Sequence, residues 1–206
     1  MASSGLESPA AAKAAERVRR HIESSIDAKR ALLQHGTDSI LAAAQVITSC
    51  LASGGKVMLC GNGGSAADAQ HIAAEFVGVL NQDFPRPGLA AIALTTDTSV
   101  LTANANDFGY AGVFERQVQA LGKPGDVLIG ISTSGKSENV LRAIRYARSH
   151  RIQTIAFCGA SGGPLAEEAE TVLKAHSTVT QFIQETHLMM GHIVCDLVEQ
   201  ALHGRV

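Results

Sequence analysis

The alternation of short apolar runs with longer helical patterns constrains the fold of this chain more than any other feature. Each run is four to six residues long and mostly apolar, as expected of a strand that is buried on both faces. The helical stretches between the runs are long enough to act as crossovers, which align neighbouring strands in parallel. We therefore predict an α/β fold with a parallel sheet between two helical layers, and with strands at 56–60, 89–94, 126–131, 152–157 and, more weakly, 171–174.

Apolar residues also recur at helical spacing towards both ends of the chain. Residues 11–34 and 37–52 are predicted to form two opening helices, and residues 181–202 a long closing helix. Residues 1–10 are small and polar, so we predict that they are disordered. Because no repeat or low-complexity linker divides the remainder, residues 11–206 are interpreted as one domain.

Charge and cysteine content restrict the partners and the compartment. The formal net charge of −2 provides no strong positive field, which argues against nucleic-acid and membrane partners and favours a small-molecule ligand. The first 20 residues lack the apolar core of a signal peptide, and no run is long enough to span a bilayer. The four cysteines have no CxxC spacing and are interpreted as reduced core thiols, which indicates a cytoplasmic protein.

A glycine-rich turn follows the first predicted strand, with the sequence Gly61-Asn62-Gly63-Gly64-Ser65. In open parallel sheets, ligands bind beyond the carboxyl ends of the strands, and glycines allow the backbone to approach an anion or a sugar oxygen closely. The turn does not match the dinucleotide fingerprint, because Ala66 occupies the last glycine position and no acidic residue ends the next strand. We therefore expect no nucleotide cofactor.

A hydroxyl-rich loop follows the third predicted strand, at Ser132-Thr133-Ser134-Gly135-Lys136-Ser137. Hydroxyls and free amides at a helix N-terminus form a phosphate site, which the helix dipole strengthens. Residues 130–137 also satisfy the Walker A pattern. We discount that pattern because Gly130 falls inside the predicted strand and no strand ends in a convincing Walker B aspartate. A P-loop NTPase is kept as the weaker alternative.

Four polar side chains on two predicted helices are candidate metal ligands. His71 and Glu75 are four residues apart and project from one helix face. Gln184 and His192 interrupt the apolar closing helix, where polar groups need partners, and His187 is a rival of Gln184. Eight residues of helix span about 12 Å, so one ion reaches both Gln184 and His192 only with stretched side chains or across subunits.

These segments together resemble the phosphoheptose isomerases of the sugar-isomerase (SIS) fold, from about residue 30 to the C-terminus. The resemblance is carried by Gly-Asn-Gly-Gly-Ser at 61–65, Gln-His-x-x-x-Glu at 70–75, Asn-Asp-Phe-Gly at 106–109, Gly-Ile-Ser-Thr-Ser-Gly at 130–135, Ile-Gln-Glu-x-His at 183–187 and His192. It implies a single SIS domain in a homotetramer with sites near subunit interfaces and one zinc per subunit. The implied reaction converts D-sedoheptulose 7-phosphate into D-glycero-D-manno-heptose 7-phosphate.

The resemblance also assigns roles to individual residues. It implies zinc ligands at His71, Glu75, Gln184 and His192, and an acid–base pair of Glu75 and His192. Such a pair suits the reaction, because moving a proton between C1 and C2 through an enediol needs one group to remove it and another to return it. The implied substrate contacts are Asn62, Gly63, Gly64, Ser65, Glu75, Asn106, Asp107, Ser132, Thr133, Ser134, Ser137 and Gln184.

The sequence departs from the family pattern at one position, and one alternative function remains open. Members of the family usually carry an arginine at the position of Val79, where it helps to neutralise the phosphate. Lys136 or Arg86 is expected to compensate, and Lys136 is the better candidate because it lies within the hydroxyl-rich loop. The alternative is a non-catalytic SIS protein that binds a replication initiator; such relatives lack the glutamate and the final histidine, which are present here as Glu75 and His192.

Overall fold

The computed structural model describes residues 8–81, 83 and 85–204. Five parallel strands form one sheet in the order β2-β1-β3-β4-β5. The strands are β1 (Val57–Gly61), β2 (Ala91–Ala93), β3 (Val127–Ser132), β4 (Gln153–Cys158) and β5 (Thr171–Lys174).

Eight α-helices accompany the sheet within the described residues, together with one turn of 3₁₀ helix at Tyr110–Gly112. The helices are α1 (Pro9–His35), α2 (Thr37–Ala52), α3 (Gly64–Val77), α4 (Thr98–Phe108), α5 (Val113–Leu121), α6 (Glu138–Ser149), α7 (Gly163–Glu168) and α8 (Thr180–His203).

Two apolar cores lie on opposite faces of the sheet. Alternate residues of β1 point to opposite faces, so Leu59 packs with α2, α3 and α8 while Met58 packs with α5 and α6. Phe76 and Phe114 are fully buried, one in each core, and burying a side chain of that size stabilises the fold by roughly 1.5–3 kcal/mol. The structure therefore confirms the predicted three-layer α/β fold.

The predicted elements lie close to the observed ones. Three predicted strands begin and end one residue before the observed strands, namely 56–60, 126–131 and 152–157. The predicted closing helix, 181–202, is one residue short at each end. Helix α1 begins at Pro9, where Ser8 Oγ accepts a hydrogen bond from the Ala11 amide at 3.1 Å. Residues 1–7 of the segment predicted to be disordered lie outside the described residues.

All four cysteines are free and buried, as predicted. Burial raises the pKa of the Cys60 thiol to about 12, so this thiol stays protonated and unreactive at neutral pH. Among the described residues, no helix combines the length and the hydropathy that a membrane span requires.

Gly130 lies inside β3 and is needed for packing rather than for a loop. A Cβ atom at this position would lie 2.8 Å from Cγ1 of Val140 on α6, so only glycine lets that helix rest on the strand. The Walker A pattern is therefore not supported, because its first glycine belongs to the sheet and not to a phosphate-binding loop.

The strands that follow β1 lie on opposite sides of it, with β2 on one side and β3 on the other. The β1–α3–β2 connection extends the sheet to one side, and the next connection crosses over to place β3 on the other side of β1. Such a switch point opens a crevice at the carboxyl ends of the two central strands. The glycine-rich turn after β1 and the hydroxyl-rich loop after β3 lie at this crevice.

Candidate metal and sugar-phosphate site

Three of the four predicted metal ligands converge between α3 and α8. His71 Nε2 lies 2.8 Å from His192 Nε2 and 3.2 Å from Glu75 Oε1. One ligand atom from each of the three residues falls within 4.8 Å of the other two. We call His71, Glu75 and His192 the metal cluster.

The metal cluster has the donor set and the spacing of a divalent-ion site. Imidazole nitrogen and carboxylate oxygen are the ligands that zinc takes in catalytic centres, and three protein ligands leave a position for substrate or water. Two atoms bound to one tetrahedral zinc at about 2.1 Å lie about 3.4 Å apart. The observed separations of 2.8 and 3.2 Å need only a small side-chain adjustment to reach that value.

The direction of the two helices explains why His71 meets His192. Gly64 at the start of α3 lies against Gln184 near the start of α8, and Ile72 lies against Gly191 further along both helices. Helices α3 and α8 therefore run side by side in the same direction. Residues at the same level along the two helices face each other, although they are more than a hundred positions apart in sequence.

Gln184 faces the glycine-rich turn. A Cβ atom on Gly64 would lie 2.1 Å from Gln184 Nε2, so the missing side chain of Gly64 makes room for this amide. Helix geometry separates the Cα atoms of Gln184 and His192 by about 12 Å. Gln184 as a fourth metal ligand stays a prediction, and its contact with the turn favours its other predicted role, a substrate contact.

His187, the predicted rival of Gln184, belongs to the core. Its side chain is completely buried and packs edge-on against Phe157, with ring centroids 5.8 Å apart. Burial lowers the pKa of the imidazole to about 4, an effect that the nearby backbone of Cys158 partly offsets. His187 is therefore uncharged at neutral pH and does not join the metal cluster.

Asp68 is a neighbour of the metal cluster that sequence reasoning missed. It lies one turn before His71 on α3, and burial raises the pKa of its carboxyl to about 6, an effect that the charge of His71 partly offsets. Its Oδ2 atom is buried and has no hydrogen-bond partner within the described part of the chain. The spacing of three residues before His71 is the sequence signal that places Asp68 on the same side of the helix.

The hydroxyl-rich loop directly follows β3, and its role as a phosphate site stays a prediction. Ser132 Oγ and Ser137 Oγ share a hydrogen bond of 2.9 Å across the loop, and Ser134 Oγ accepts from the Lys136 amide at 3.2 Å. Gly135 adopts φ +65°, and a Cβ there would lie 1.9 Å from the Gly162 carbonyl oxygen. Only glycine fits at that point, so the neighbouring β4–α7 segment closes over the loop.

A polar cavity of about 200 Å³ lies beside this loop, at the carboxyl ends of β3, β4 and β5. Hydroxyl groups line much of it, and Lys136 supplies its positive charge. The lining consists of Thr133, Ser134, Lys136, Gly159, Ala160, Ser161, Ser177, Thr178, Thr180 and Ile183. Hydroxyls with one lysine form a suitable environment for a phosphate group.

Arg86 does not compensate for the missing arginine at Val79. Its guanidinium is 1% exposed and donates to Glu199 Oε2 at 2.7 Å from Nε. The same group donates to the backbone carbonyls of Glu75 and Phe76 at 2.8 and 3.0 Å, which holds the C-terminal end of α3. The proposed role of Arg86 was therefore wrong, because its donors are committed inside the fold, and Lys136 is left as the candidate.

Asn106 and Asp107 are exposed at the end of α4, where Asn106 Nδ2 donates to Asp107 Oδ1 at 2.8 Å. Their segment reaches the glycine-rich turn through Tyr110, whose hydroxyl donates to Asn62 Oδ1 at 2.9 Å. Asn62 in turn exchanges hydrogen bonds with Asn139 at the start of α6. Sequence reasoning missed Tyr110 and Asn139, because neither belongs to a recognisable motif.

Comparison with known proteins identifies the family. The SIS domain model matches residues 20–159. The phosphoheptose isomerase of Roseiflexus sp. (strain RS-1) is 53% identical over 181 residues, which are 88% of this chain and 91% of that protein.

Solved structures agree with the sequence comparison. A phosphoheptose isomerase from Neisseria gonorrhoeae matches with a TM-score of 0.84 and 44% identity, covering 90% of this chain and 98% of that one. One from Francisella tularensis matches with a TM-score of 0.87 and 38% identity, covering 91% and 98%. The chain therefore belongs to the SIS domain family and, within it, to the phosphoheptose isomerases.

Proposed function

We propose that this protein converts D-sedoheptulose 7-phosphate into D-glycero-D-manno-heptose 7-phosphate, the first step of bacterial ADP- or GDP-heptose synthesis. The observation that carries the proposal is the metal cluster, in which a carboxylate and two imidazoles meet within 4.8 Å of one another, about two helical turns along α3 from the glycine-rich turn. The names of the most similar relatives support it. The non-catalytic alternative is not favoured, because the residues that such proteins lack are part of this cluster.

The reaction needs a proton to leave one carbon and return to its neighbour through an enediol. Glu75 and His192 are the proposed acid–base pair, because both side chains meet in the metal cluster. Glu75 has a second carboxylate oxygen for the proton, whereas His192 could accept one at its Nε2 atom only if that nitrogen were not bound to an ion. Glu75 is mostly shielded from solvent, with 19% of its side chain exposed, which protects the transferred proton from exchange with bulk water. We assign the two proton transfers to the pair and not to Glu75 or His192 individually.

We propose one zinc ion per subunit as the cofactor, held by His71, Glu75 and His192, with Gln184 as a candidate fourth ligand. When bound, the ion polarises the sugar carbonyl and stabilises negative charge on oxygen. The choice of zinc over a harder ion follows from the two imidazole donors.

The phosphate is proposed to bind at the hydroxyl-rich loop. Ser132, Ser134 and Ser137 offer hydroxyls, Thr133 lines the adjoining cavity, and Lys136 supplies the positive charge. The turn at residues 62–65 and the pair Asn106-Asp107 are proposed to bind the sugar hydroxyls. In this arrangement the bound substrate lies along the crevice, with its phosphate at the hydroxyl-rich loop and its sugar extending towards the metal cluster.

A homo-oligomer, in the form of a tetramer, is the proposed assembly. An apolar groove of about 440 Å³ lies between α1, α2 and α8, and Ile193, the residue after His192, lines it together with Leu33 and Leu41. Exposed apolar side chains continue along α1 at Val18, Ile22 and Ile26. Apolar surface of this kind is covered in soluble assemblies, so Leu33→Glu is expected to shift the mass measured by light scattering. The reduced, buried cysteines support a cytoplasmic location.

The function is tested by incubating the zinc-loaded protein with sedoheptulose 7-phosphate and following the aldose phosphate by NMR. We expect turnover by the wild type, and a loss of at least a hundredfold in Glu75→Gln. Glu167→Gln on the exposed surface of α7 is the matched control and should retain full activity. No turnover by the wild type with zinc supplied would contradict the proposal.

A further inference from the structure

Two asparagines tie together the two loops of the proposed site. Asn62 opens the glycine-rich turn after β1, and Asn139 lies on the first turn of α6, directly after the hydroxyl-rich loop. Asn62 Nδ2 donates to Asn139 Oδ1 at 2.9 Å, and Asn139 Nδ2 donates back to Asn62 Oδ1 at 2.9 Å. We call this reciprocal pair the amide bridge. Asn139 is 3% exposed, so the bridge is shielded from competing water on that side.

A backbone group fixes the orientation of the amide bridge. The Val140 amide donates to Asn139 Oδ1 at 3.0 Å, which identifies that atom as the acceptor and turns Nδ2 of Asn139 towards Asn62. Asn62 must then present Oδ1 to Asn139 Nδ2. Neither carboxamide can rotate by half a turn without breaking at least two hydrogen bonds.

Tyr110 adds a third segment to this bridge. Its hydroxyl donates to Asn62 Oδ1 at 2.9 Å, so that oxygen accepts from both Tyr110 and Asn139 and its two lone pairs are used. Tyr110 follows Gly109, whose φ of +75° turns the chain after α4. Tyr110 is 59% exposed, so it packs little against the rest of the protein, and the hydroxyl makes its specific contact with Asn62.

We propose that Tyr110 is a positioning residue for the sugar phosphate, acting through Asn62 and Asn139. Its hydroxyl links the end of α4, with Asn106 and Asp107, to the glycine-rich turn, and the amide bridge links that turn to the phosphate loop. Three segments that approach one ligand are thereby held at fixed separations before it binds. Such preorganisation lowers the ordering cost of binding. The assignment of a sugar phosphate as the ligand rests on the proposed function.

The chain offers a matched pair of variants for the test, because Tyr110 and Tyr146 are its only two tyrosines. Tyr110→Phe removes the hydroxyl and keeps the ring. We expect kcat/KM for the sugar phosphate to fall roughly threefold to tenfold, mainly through a higher KM, as expected for the loss of one hydrogen bond. Tyr146→Phe, at a half-buried ring that stacks on His150 at the C-terminal end of α6, should stay within twofold of the wild type.

A double-mutant cycle with Asn62→Ala separates positioning from a general structural effect. If Tyr110 acts through Asn62, Tyr110→Phe has little further effect on kcat/KM once Asn62 is replaced. Equal effects of Tyr110→Phe in both backgrounds would overturn the proposal, and so would unchanged kinetics of Tyr110→Phe alone.

A spectroscopic measurement is independent of turnover. The chain has no tryptophan, so Tyr110 is the only phenol and the dominant near-ultraviolet chromophore of the Tyr146→Phe protein. Asn62→Ala in that protein is expected to move the absorption band of Tyr110 to that of a phenol in water. An unmoved band would contradict the link between Tyr110 and Asn62, whereas a moved band together with no turnover by the wild-type protein would contradict only the proposed function.

Discussion

Gly191 lets α8 approach α3 so closely that a Cβ atom at this position would lie 2.6 Å from Cδ1 of Ile72. The contact is next to the metal cluster, because His192 follows Gly191 and His71 precedes Ile72. Close approach of the two helices at this height brings the two imidazole rings within 2.8 Å. A glycine inside a helix costs about 1 kcal/mol relative to alanine, so close packing has to offset that cost.

Gly191→Ala is expected to lower zinc affinity and to destabilise the protein by about 1 kcal/mol overall. The gain in helix propensity of about 1 kcal/mol is outweighed by overpacking of about 1–3 kcal/mol against buried Ile72. Competitive zinc titration and thermal unfolding measure the two effects. Adding Ile72→Val removes Cδ1 and should restore part of the affinity; a Gly191→Ala protein that binds zinc as the wild type does would refute the role of this contact.

His71→Asn is expected to weaken zinc binding by at least tenfold, because it removes one of the three converging donors. The activity should fall with it and recover in part when zinc is added in excess. His150→Asn is the matched control, since that imidazole stacks on Tyr146 away from the cluster. Equal zinc affinity of the two variants, measured with a chromogenic competitor, would remove His71 from the ligand set.

Lys136→Met is expected to weaken substrate binding, whereas Arg86→Met is expected to destabilise the fold. Lys136 lines the cavity beside the phosphate loop, so its loss should raise KM for the sugar phosphate about tenfold and change stability little. Arg86 is buried against Glu199, so its loss leaves a buried carboxylate without its cation and should cost about 3–5 kcal/mol of stability.

Urea unfolding and steady-state kinetics of both variants distinguish these outcomes. For Arg86→Met, activity is compared per folded molecule, so that a loss of stability is not mistaken for a loss of phosphate binding. A large increase in KM for Arg86→Met, with KM unchanged in Lys136→Met, would reverse the assignment.

His187 is expected to make stability depend on pH between about 6.5 and 4. The folded protein binds the proton at His187 only near pH 4, whereas the unfolded chain binds it near pH 6.5. The unfolded state therefore holds more protons in this interval, and the free energy of unfolding falls as the pH falls, by roughly 3 kcal/mol in total. Urea unfolding of the wild type and of His187→Phe across this range should show a steeper loss in the wild type; parallel curves would be inconsistent with a neutral, buried His187.

The sequence predicted those features that depend on local pattern. Short, mostly apolar runs located the strands, because a strand buried on both faces has no polar side. The pair His71 and Glu75 could be predicted because helix geometry fixes residues four apart. The glycine and hydroxyl segments were located at the correct edge of the sheet because parallel strands end there.

Contacts between distant elements were not predictable in the same way. Tyr110 meets Asn62 across 48 positions, and Asn62 meets Asn139 across 77, through a switch point whose exact geometry no local pattern encodes. Arg86 stayed open as the alternative to Lys136 because a phosphate-binding arginine and an arginine in a buried ion pair look alike in sequence. Gly191 did carry a signal, an isolated glycine within an apolar helix, and the close helix contact accounts for it.

Helix α3 sets the distance between the glycine-rich turn and the metal cluster. The turn at Gly64 and the metal cluster at His71 are separated by seven residues of one helix, about 10 Å along its axis. That interval is set by backbone hydrogen bonds and not by the walls of a pocket, so side-chain substitutions cannot lengthen or shorten it. A ligand that contacts both the turn at Gly64 and the metal cluster must span this interval. The rise of one helix therefore sets the minimum length of a ligand that reaches both.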